Sequence, residues 1–336
     1  MVMIHAENLV KVFERPDRIE GRFSAIRTLV TRRKRQTVAV DGVSLSIDEG
    51  EIVGYLGPNG AGKSTTIKML TGILVPTSGI AKVSGIIPWQ DRTANARNIG
   101  VVFGQRSQLW WDLPLDESLR LIGKMYDVTP DRFRQTREML VELLEMESYL
   151  ATPVRQLSLG QRMRGDLAAA VLYEPPVLFL DEPTVGLDVI AKERMRGFIE
   201  EINRARNTTV LLTTHDLDDV ERLCKRILII DQGKVLFDGA TADLKRRYAP
   251  HRLLEITASA EGIEALVAIA PDLQAGVTVQ GVEEFKASFQ IDPSVVPVAT
   301  VIADFATRVP IADLAVREPE LEGVIREIYE ARAVTR

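Results

Sequence analysis

At 336 residues the chain is long enough for one large α/β domain and a small second one, and its 46% hydrophobic and 26% charged residues are those of a soluble globular protein. No apolar run approaches the ~20 residues that a membrane-spanning helix needs. A single cysteine, Cys224, excludes an internal disulfide and fits a reducing compartment, and a net charge of −5 argues against nucleic acid as the main partner.

Met1-Val2-Met3-Ile4-His5 leads straight into a strand, so no secretory leader is expected. After Leu9-Val10-Lys11-Val12-Phe13 a basic segment runs from Glu14 to Gln36 and closes on Arg32-Arg33-Lys34-Arg35. Within it Ile19, Phe23, Ile26 and Val30 recur at helical spacing. That pattern suits a helix packed on its own domain or facing a partner. A basic amphipathic helix also suits an anionic membrane face, against which Gly21, Asp17 and Glu20 count.

Ile52-Val53-Gly54-Tyr55-Leu56 reads as a buried strand and Ser64 to Leu70 as the start of a helix. Between them, Gly57-Pro58-Asn59-Gly60-Ala61-Gly62-Lys63-Ser64-Thr65 meets the G-x-x-x-x-G-K-[ST] spacing in full. Its glycines let backbone N–H groups turn inward around phosphate oxygens, and the helix behind adds its positive end. Lys63 is placed for the β- and γ-phosphates of a nucleoside triphosphate and the Ser64 hydroxyl for Mg²⁺.

The strand Val101-Val102-Phe103 ends just before Gln105, and from there to about Tyr173 the strand signal disappears. Asp116 to Tyr126 and Asp131 to Leu144 read as amphipathic helices, so residues 106–173 are expected to form an inserted helical lobe. Near its start Trp110-Trp111 either anchor the lobe's core or line a groove for a partner's helix. Ser158 and Gly160, in Leu157-Ser158-Leu159-Gly160-Gln161, open a helix to about Tyr173 and sit at a positive end that suits a phosphate. Val177-Leu178-Phe179-Leu180 is apolar throughout, as in a strand buried on both faces. Asp181 at its tip suits the Mg²⁺ hydration shell. Glu182 points to where a water lies beyond the γ-phosphate, and a carboxylate there acts as general base. Another apolar strand, Val210-Leu211-Leu212-Thr213-Thr214, ends at His215. Alternating strands and helices predict parallel βα units around a central sheet.

After Gly239 nothing carries chemistry. Thr241 to Tyr248 reads as a helix. Then follow a strand (Leu253 to Ala258), a helix (Gly262 to Ala270), two strands (Val277 to Gly281, Lys286 to Asp292), a helix (Val296 to Thr307), a strand (Ile311 to Arg317) and a helix (Glu318 to Glu330). That order predicts a small ferredoxin-like α+β domain over 241–336. His5, His251 and Cys224 have no setting that suggests chemistry.

Six runs in this order and spacing resemble the nucleotide-binding subunit of an ABC transporter over residues 1 to about 240. They are Gly57 to Thr65, Gln105, Leu157 to Gln161, Asp181-Glu182, Gly186-Leu187-Asp188 and His215. The resemblance implies an α/β fold, a P-loop NTPase core of the ABC ATPase kind over 1–240, with ATP and Mg²⁺ as ligands. Gln105 is then the Q-loop glutamine that meets nucleotide and metal, and Leu157 to Gln161 the signature, usually L-S-G-G-Q, with Leu159 in its third place here. Gly186-Leu187-Asp188 is the D-loop, and His215 the switch histidine on the γ-phosphate. An aromatic residue near the first strand would stack on adenine; Phe13 is the candidate, a core phenylalanine the alternative. Glu14 to Gln36 becomes an insertion, since the family passes from first to second strand by a short turn. Also implied is a second ATPase subunit closing head to tail, so that Ser158, Gly160, Gln161 and Asp188 of one copy meet the phosphate held by the other. A homodimer is expected, with a close paralogue as the alternative, together with integral membrane permease subunits and a peripheral location on the cytoplasmic face of the membrane. The stretch around Gly186-Leu187-Asp188 and the C-terminal region resemble the drug- and antibiotic-resistance exporter branch. Export of a drug-like or lipid-like compound is the expectation; an importer ATPase and a soluble ABC-class ATPase are the alternatives.

Overall fold

The computed structural model describes residues 1–16, 34–104, 106–248, 251–269, 276–318 and 321–334. Gln105 and the helical repeat of Ile19, Phe23, Ile26 and Val30 therefore lie outside the described residues. The chain divides into two compact units, Met1–Gly239 and Ala240–Arg336.

In the first unit Val2–Pro16 (β1), Lys34–Asp48 (β2) and Ser78–Val83 (β4) form an antiparallel sheet in the order β2-β1-β4. This sheet is absent from the reading of alternating βα units, although its period-two signal is legible. Val43, Leu45 and Ile47 are buried while Ser44, Ser46 and Asp48 are exposed. The expected insertion is also narrower than 14–36. Glu14 pairs with Gln36, Arg15 with Arg35 and Pro16 with Lys34, so its two ends are continuous strand. The hydrogen-bonded ladder of the hairpin carries past the point where side-chain patterning stops.

Ile52–Leu56 (β3), Ile99–Phe103 (β5), Val177–Asp181 (β6), Thr209–Thr213 (β7), Arg226–Asp231 (β8) and Lys234–Ala240 (β9) make a second sheet in the order β5-β6-β7-β3-β8-β9. The first five of these are parallel neighbours. Every residue of β7, and Val177 to Leu180 of β6, is buried, as a strand covered on both faces requires. The helix Lys63–Leu70 (α1) touches strands of both sheets. Its Ile67, Met69 and Leu70 share one core with Ile4, Leu9 and Val43 of the antiparallel sheet and Tyr55, Phe179 and Leu211 of the parallel one. An isolated helix this short is marginal in water. Burial worth about 1.5–3 kcal/mol for each large apolar side chain fixes its position instead.

Parallel pairing brings the carboxyl ends of the strands to one edge, where ligands of open α/β sheets bind. Register sharpens this. Phe103 lies beside Asp181, and Asp181 beside Thr213. Strand β7 sits between β6 and β3, so the loop bearing His215 runs between the acidic strand end and the glycine-rich loop.

After Arg92–Asn98 (α2) and β5, the chain is helical until β6: Leu115–Met125 (α3), Pro130–Leu143 (α4) and Leu159–Val171 (α5). Helices α3 and α4 each begin one residue earlier than expected, with Pro130 in the first turn of α4, where its missing N–H costs nothing. Neither tryptophan is a core anchor. Trp110 is 37% and Trp111 51% exposed, and it is Leu109 that is buried. The Arg162 guanidinium lies 5.4 Å from the Trp111 ring centroid. Val189–Arg206 (α6) follows β6, and Leu217–Leu223 (α7) follows β7. Cys224 is buried, which pushes its thiol up to about 12.

The second unit holds Thr241–Tyr248 (α8), Arg252–Thr257 (β10), Ala260–Ile269 (α9), Val277–Glu283 (β11), Lys286–Ile291 (β12), Val298–Arg308 (α10), Asp313–Arg317 (β13) and Leu321–Val334 (α11). Its sheet is antiparallel in the order β11-β12-β10-β13. Leu254, Ile256, Phe289 and Ile291 of the two central strands bury against Ile263, Leu266, Val301 and Phe305 of helices α9 and α10.

Candidate functional site

Strand β3 delivers the chain into Gly57 to Gly62. Gly60 and Gly62 have φ of +83° and +106°, a region that side chains with a Cβ disfavour. A Cβ on Gly62 would stand 2.4 Å from the Ala39 carbonyl oxygen, and one on Gly57 2.5 Å from that of Ile230. Two neighbouring strands thus press the loop from either side. Gly62 caps α1, and Thr66 N–H donates to Gly62 O at 2.9 Å. The Lys63 ammonium donates to the carbonyl oxygens of Gly57 and Pro58. Lys63 is only 6% exposed. Burial lowers its pKa, against the opposing pull of Glu182 and Asp181.

The acidic pair lies on the far side of β7. Asp181 Oδ1 accepts from Thr213 Oγ1 at 2.6 Å and lies 3.5 Å from Ser64 Oγ, which donates to it. Glu182 departs from strand geometry with φ +57°, and its N–H donates to Thr213 O at 2.9 Å. This turn takes its carboxylate towards the next loop, where Oε1 is 2.9 Å from His215 Nε2. Ser64, Asp181, Glu182, Phe103 and Arg106 line one cleft of about 310 Å³. Lys63, Ser64, Asp181, Glu182 and His215 therefore converge on the carboxyl edge. Two hard oxygen donors, Ser64 and Asp181, side by side at that edge suit Mg²⁺.

A second group gathers around the start of α5. Ser158 is its N-cap: Ser158 Oγ accepts from Gln161 N–H at 3.2 Å and Gln161 Oε1 from Ser158 N–H at 2.9 Å, a capping box. A Cβ on Gly160 would have only Ala191 and Leu187 near it, both at 3.8 Å. Leu159 is 38% exposed, and the end of its side chain lies against Gly186, 2.8 Å from where a Cβ there would stand. Asp188 caps α6, accepting from Ala191 N–H at 2.8 Å. Ser158, Gly160, Gln161 and Asp188 are thus assembled by the contact between the starts of α5 and α6.

Phe13 lies on β1 opposite Thr37, half-buried and outside the core cluster, with the Lys11 ammonium 5.4 Å from its ring centroid. Two residues on from Thr37, Ala39 touches Gly62, which puts Phe13 one strand from the glycine-rich loop. Sequence reasoning missed Thr213, which holds both Asp181 and Glu182. A hydroxyl at the end of an apolar strand is its only linear signal.

The ABC transporter family profile matches residues 40–185. The linearmycin resistance ATP-binding protein LnrL of Bacillus subtilis (strain 168) is 32% identical over 288 residues, covering 84% of this chain and 91% of its own. The daunorubicin resistance ATP-binding protein DrrA3 of Streptomyces coeruleorubidus is 34% identical, covering 85% and 89%. The chain belongs to the ABC transporter ATP-binding proteins. A solved dimer of an ATP-binding cassette in a post-hydrolysis state, bound to ADP and Pi, matches with a TM-score of 0.59 at 26% identity, over 71% of this chain and 98% of that one. This ABC transporter ATP-binding protein is accordingly an ATPase of the P-loop fold. Members of the family dimerise and work with membrane permease components. Among the described residues no helix is long and apolar enough to cross a membrane.

Proposed function

We propose that this ABC protein powers export of a drug-like or lipid-like compound through separate membrane permeases, from the cytoplasmic face, as a homodimer closed head to tail around ATP. In this reading the N–H groups of Gly57, Asn59, Gly60, Ala61, Gly62, Lys63, Ser64 and Thr65 that face the loop's interior cradle the phosphates, while Pro58, which has no N–H, contributes shape alone. Lys63 neutralises the β- and γ-phosphates, and Phe13 stacks on adenine. Ser64 and Asp181, with Gln105 by its place in the Q-loop, would hold Mg²⁺, which supplies charge neutralisation on the phosphate oxygens. Glu182 takes a proton from the attacking water as its oxygen bonds to the γ-phosphorus and ADP leaves. His215 bonds the γ-phosphate and orients Glu182. Ser158, Gly160, Gln161 and Asp188 meet the γ-phosphate held by the second copy. The C-terminal unit is an accessory ferredoxin-like domain.

The observation that carries the reading is the 2.9 Å approach of His215 to Glu182 beside Asp181, at the strand edge that also bears Lys63. Export is supported by relatives named for linearmycin resistance, daunorubicin resistance and Nod factor export. Swinging a membrane partner almost fully between two conformations takes about 5.5 kcal/mol of differential binding. Two triphosphates, each gripped from both subunits, supply such a difference. The test is ATP turnover of the purified chain against its concentration, together with the membrane proteins that copurify with it. Specific activity rises with concentration and an integral membrane permease is captured. Constant specific activity down to dilute monomer refutes the shared site.

A further inference from the structure

Beneath Glu182 and His215 lies a polar cluster with no role assigned above. Asp219, on α7, is fully buried. Its Oδ2 accepts from Thr184 Oγ1 at 2.6 Å and from Thr214 Oγ1 at 3.3 Å, and its Oδ1 accepts from Arg196 Nε at 2.5 Å. Thr184, Thr214 and Arg196, of α6, are themselves buried. Thr184 stands two residues after Glu182, and Thr214 immediately before His215. One carboxylate therefore bonds to both loops that carry the reactive pair. Thr214 Oγ1 also accepts from Asp216 N–H at 2.9 Å, which fixes the chain on the other side of His215.

Packing alone does not call for this arrangement. Valine fills the space of threonine, and burying a carboxylate with a guanidinium costs desolvation that apolar residues avoid. The backbone supplies a reason. Glu182 sits at φ +57°, a conformation that persists in a non-glycine residue only where its surroundings hold it. On its amino side the Thr213 carbonyl holds Glu182 N–H. On its carboxyl side, past the buried Pro183, the first side chain held by a hydrogen bond in the interior is Thr184, on Asp219. The strained residue is clamped from both directions, and the second clamp is shared with the histidine loop.

We infer that Asp219 is a positioning residue for hydrolysis, tying Thr184 to Thr214 so that the Glu182 carboxylate and the His215 imidazole keep their register. The inference rests on the reading of Glu182 and His215 as the hydrolytic pair. Asp219→Asn removes the buried charge facing Arg196, whose other acidic neighbours, Glu193 and Asp216, stand farther off at 3.5 and 3.8 Å, and so risks the fold; the test therefore uses Thr184→Val and Thr214→Val in the full chain. Each removes one hydroxyl from Asp219 at nearly constant volume and spares the Arg196 pair. Expected is a fall in kcat of about 10–100-fold, the scale of a small misplacement of reacting groups. KM for ATP, nucleotide affinity and the thermal midpoint stay near wild type, and Thr184→Ser and Thr214→Ser restore turnover. In a Glu182→Gln background, Thr184→Val adds little further loss, because the carboxylate on the Thr184 side of the tie, whose register with His215 it keeps, is gone. Wild-type kcat in both valine variants, or a loss that multiplies undiminished onto Glu182→Gln, overturns the positioning role. Wild-type turnover in Glu182→Gln alone overturns the general-base reading instead, so the two failures are distinguishable.

Discussion

Glu182→Gln removes the proton acceptor and leaves almost everything around it in place. The amide has the shape of the carboxylate, its oxygen can occupy the position 2.9 Å from His215 Nε2, and the φ of +57° suits glutamine no worse than glutamate. The change in folding stability is therefore within about 0.5 kcal/mol, as for substitutions that create no cavity or buried charge. The whole effect falls on the barrier. A positioned general base contributes about 10²–10⁴ in rate, which is about 2.7–5.4 kcal/mol. The assay is phosphate release in a single turnover with protein in excess, alongside nucleotide affinity and gel filtration with ATP. Affinity is unchanged, a closed dimer accumulates, and release slows by the stated factor. Glu182→Gly separates strain from chemistry. It loses turnover in the same way, yet its thermal midpoint does not fall, since glycine is spared the left-handed penalty of about 1–2 kcal/mol. Phosphate release by Glu182→Gln at the wild-type rate refutes the assignment.

Gly62→Ala forces a Cβ to within 2.4 Å of the Ala39 carbonyl at φ +106°, at a cost of about 1–3 kcal/mol for the backbone alone. A thermal midpoint and an ATP affinity both equal to wild type contradict that account. Ser158→Ala breaks the capping box, worth about 1 kcal/mol, and lowers the midpoint of the first unit by about 2–4 °C. Turnover falls well beyond what this predicts while single-chain ATP affinity holds; normal turnover removes Ser158 from the shared site. Asp166, on α5, accepts from Ser107 Oγ and Gln108 N–H, yet burial pushes its carboxyl from 3.8 up to about 6. Its folded-state value lies above the unfolded one, so the native state holds the extra proton between about pH 4 and 6, and stability falls as pH rises through that window before levelling. Asp166→Asn flattens this slope in urea unfolding measured across pH, and an unaltered slope refutes it.

The glycine-rich loop, the apolar run before Asp181 and the strand before His215 were legible because each is a local pattern. The bend of the glycine-rich loop, burial on both faces and strand length are settled by adjacent residues. Ser158 was legible for the same reason, since a capping box spans one helical turn. The β1–β2 pairing was not, because its register depends on partners on the other side of a long basic segment. The tryptophans stayed between two readings because hydrophobicity carries no direction, and the fold removes the core-anchor one: Leu109 turns inward, while Trp110 and Trp111 are exposed.

Sequence alone determined the glycine-rich loop, the acidic strand end and the family to which the chain belongs, since all three are written in short contiguous runs. Only the tertiary structure decided how those groups are held. The left-handed turn at Glu182, the bonds of Thr213 to both acids and the attachment of two loops to Asp219 join residues from different strands and helices. Such contacts depend on the order and register of the strands, which no single stretch of chain encodes.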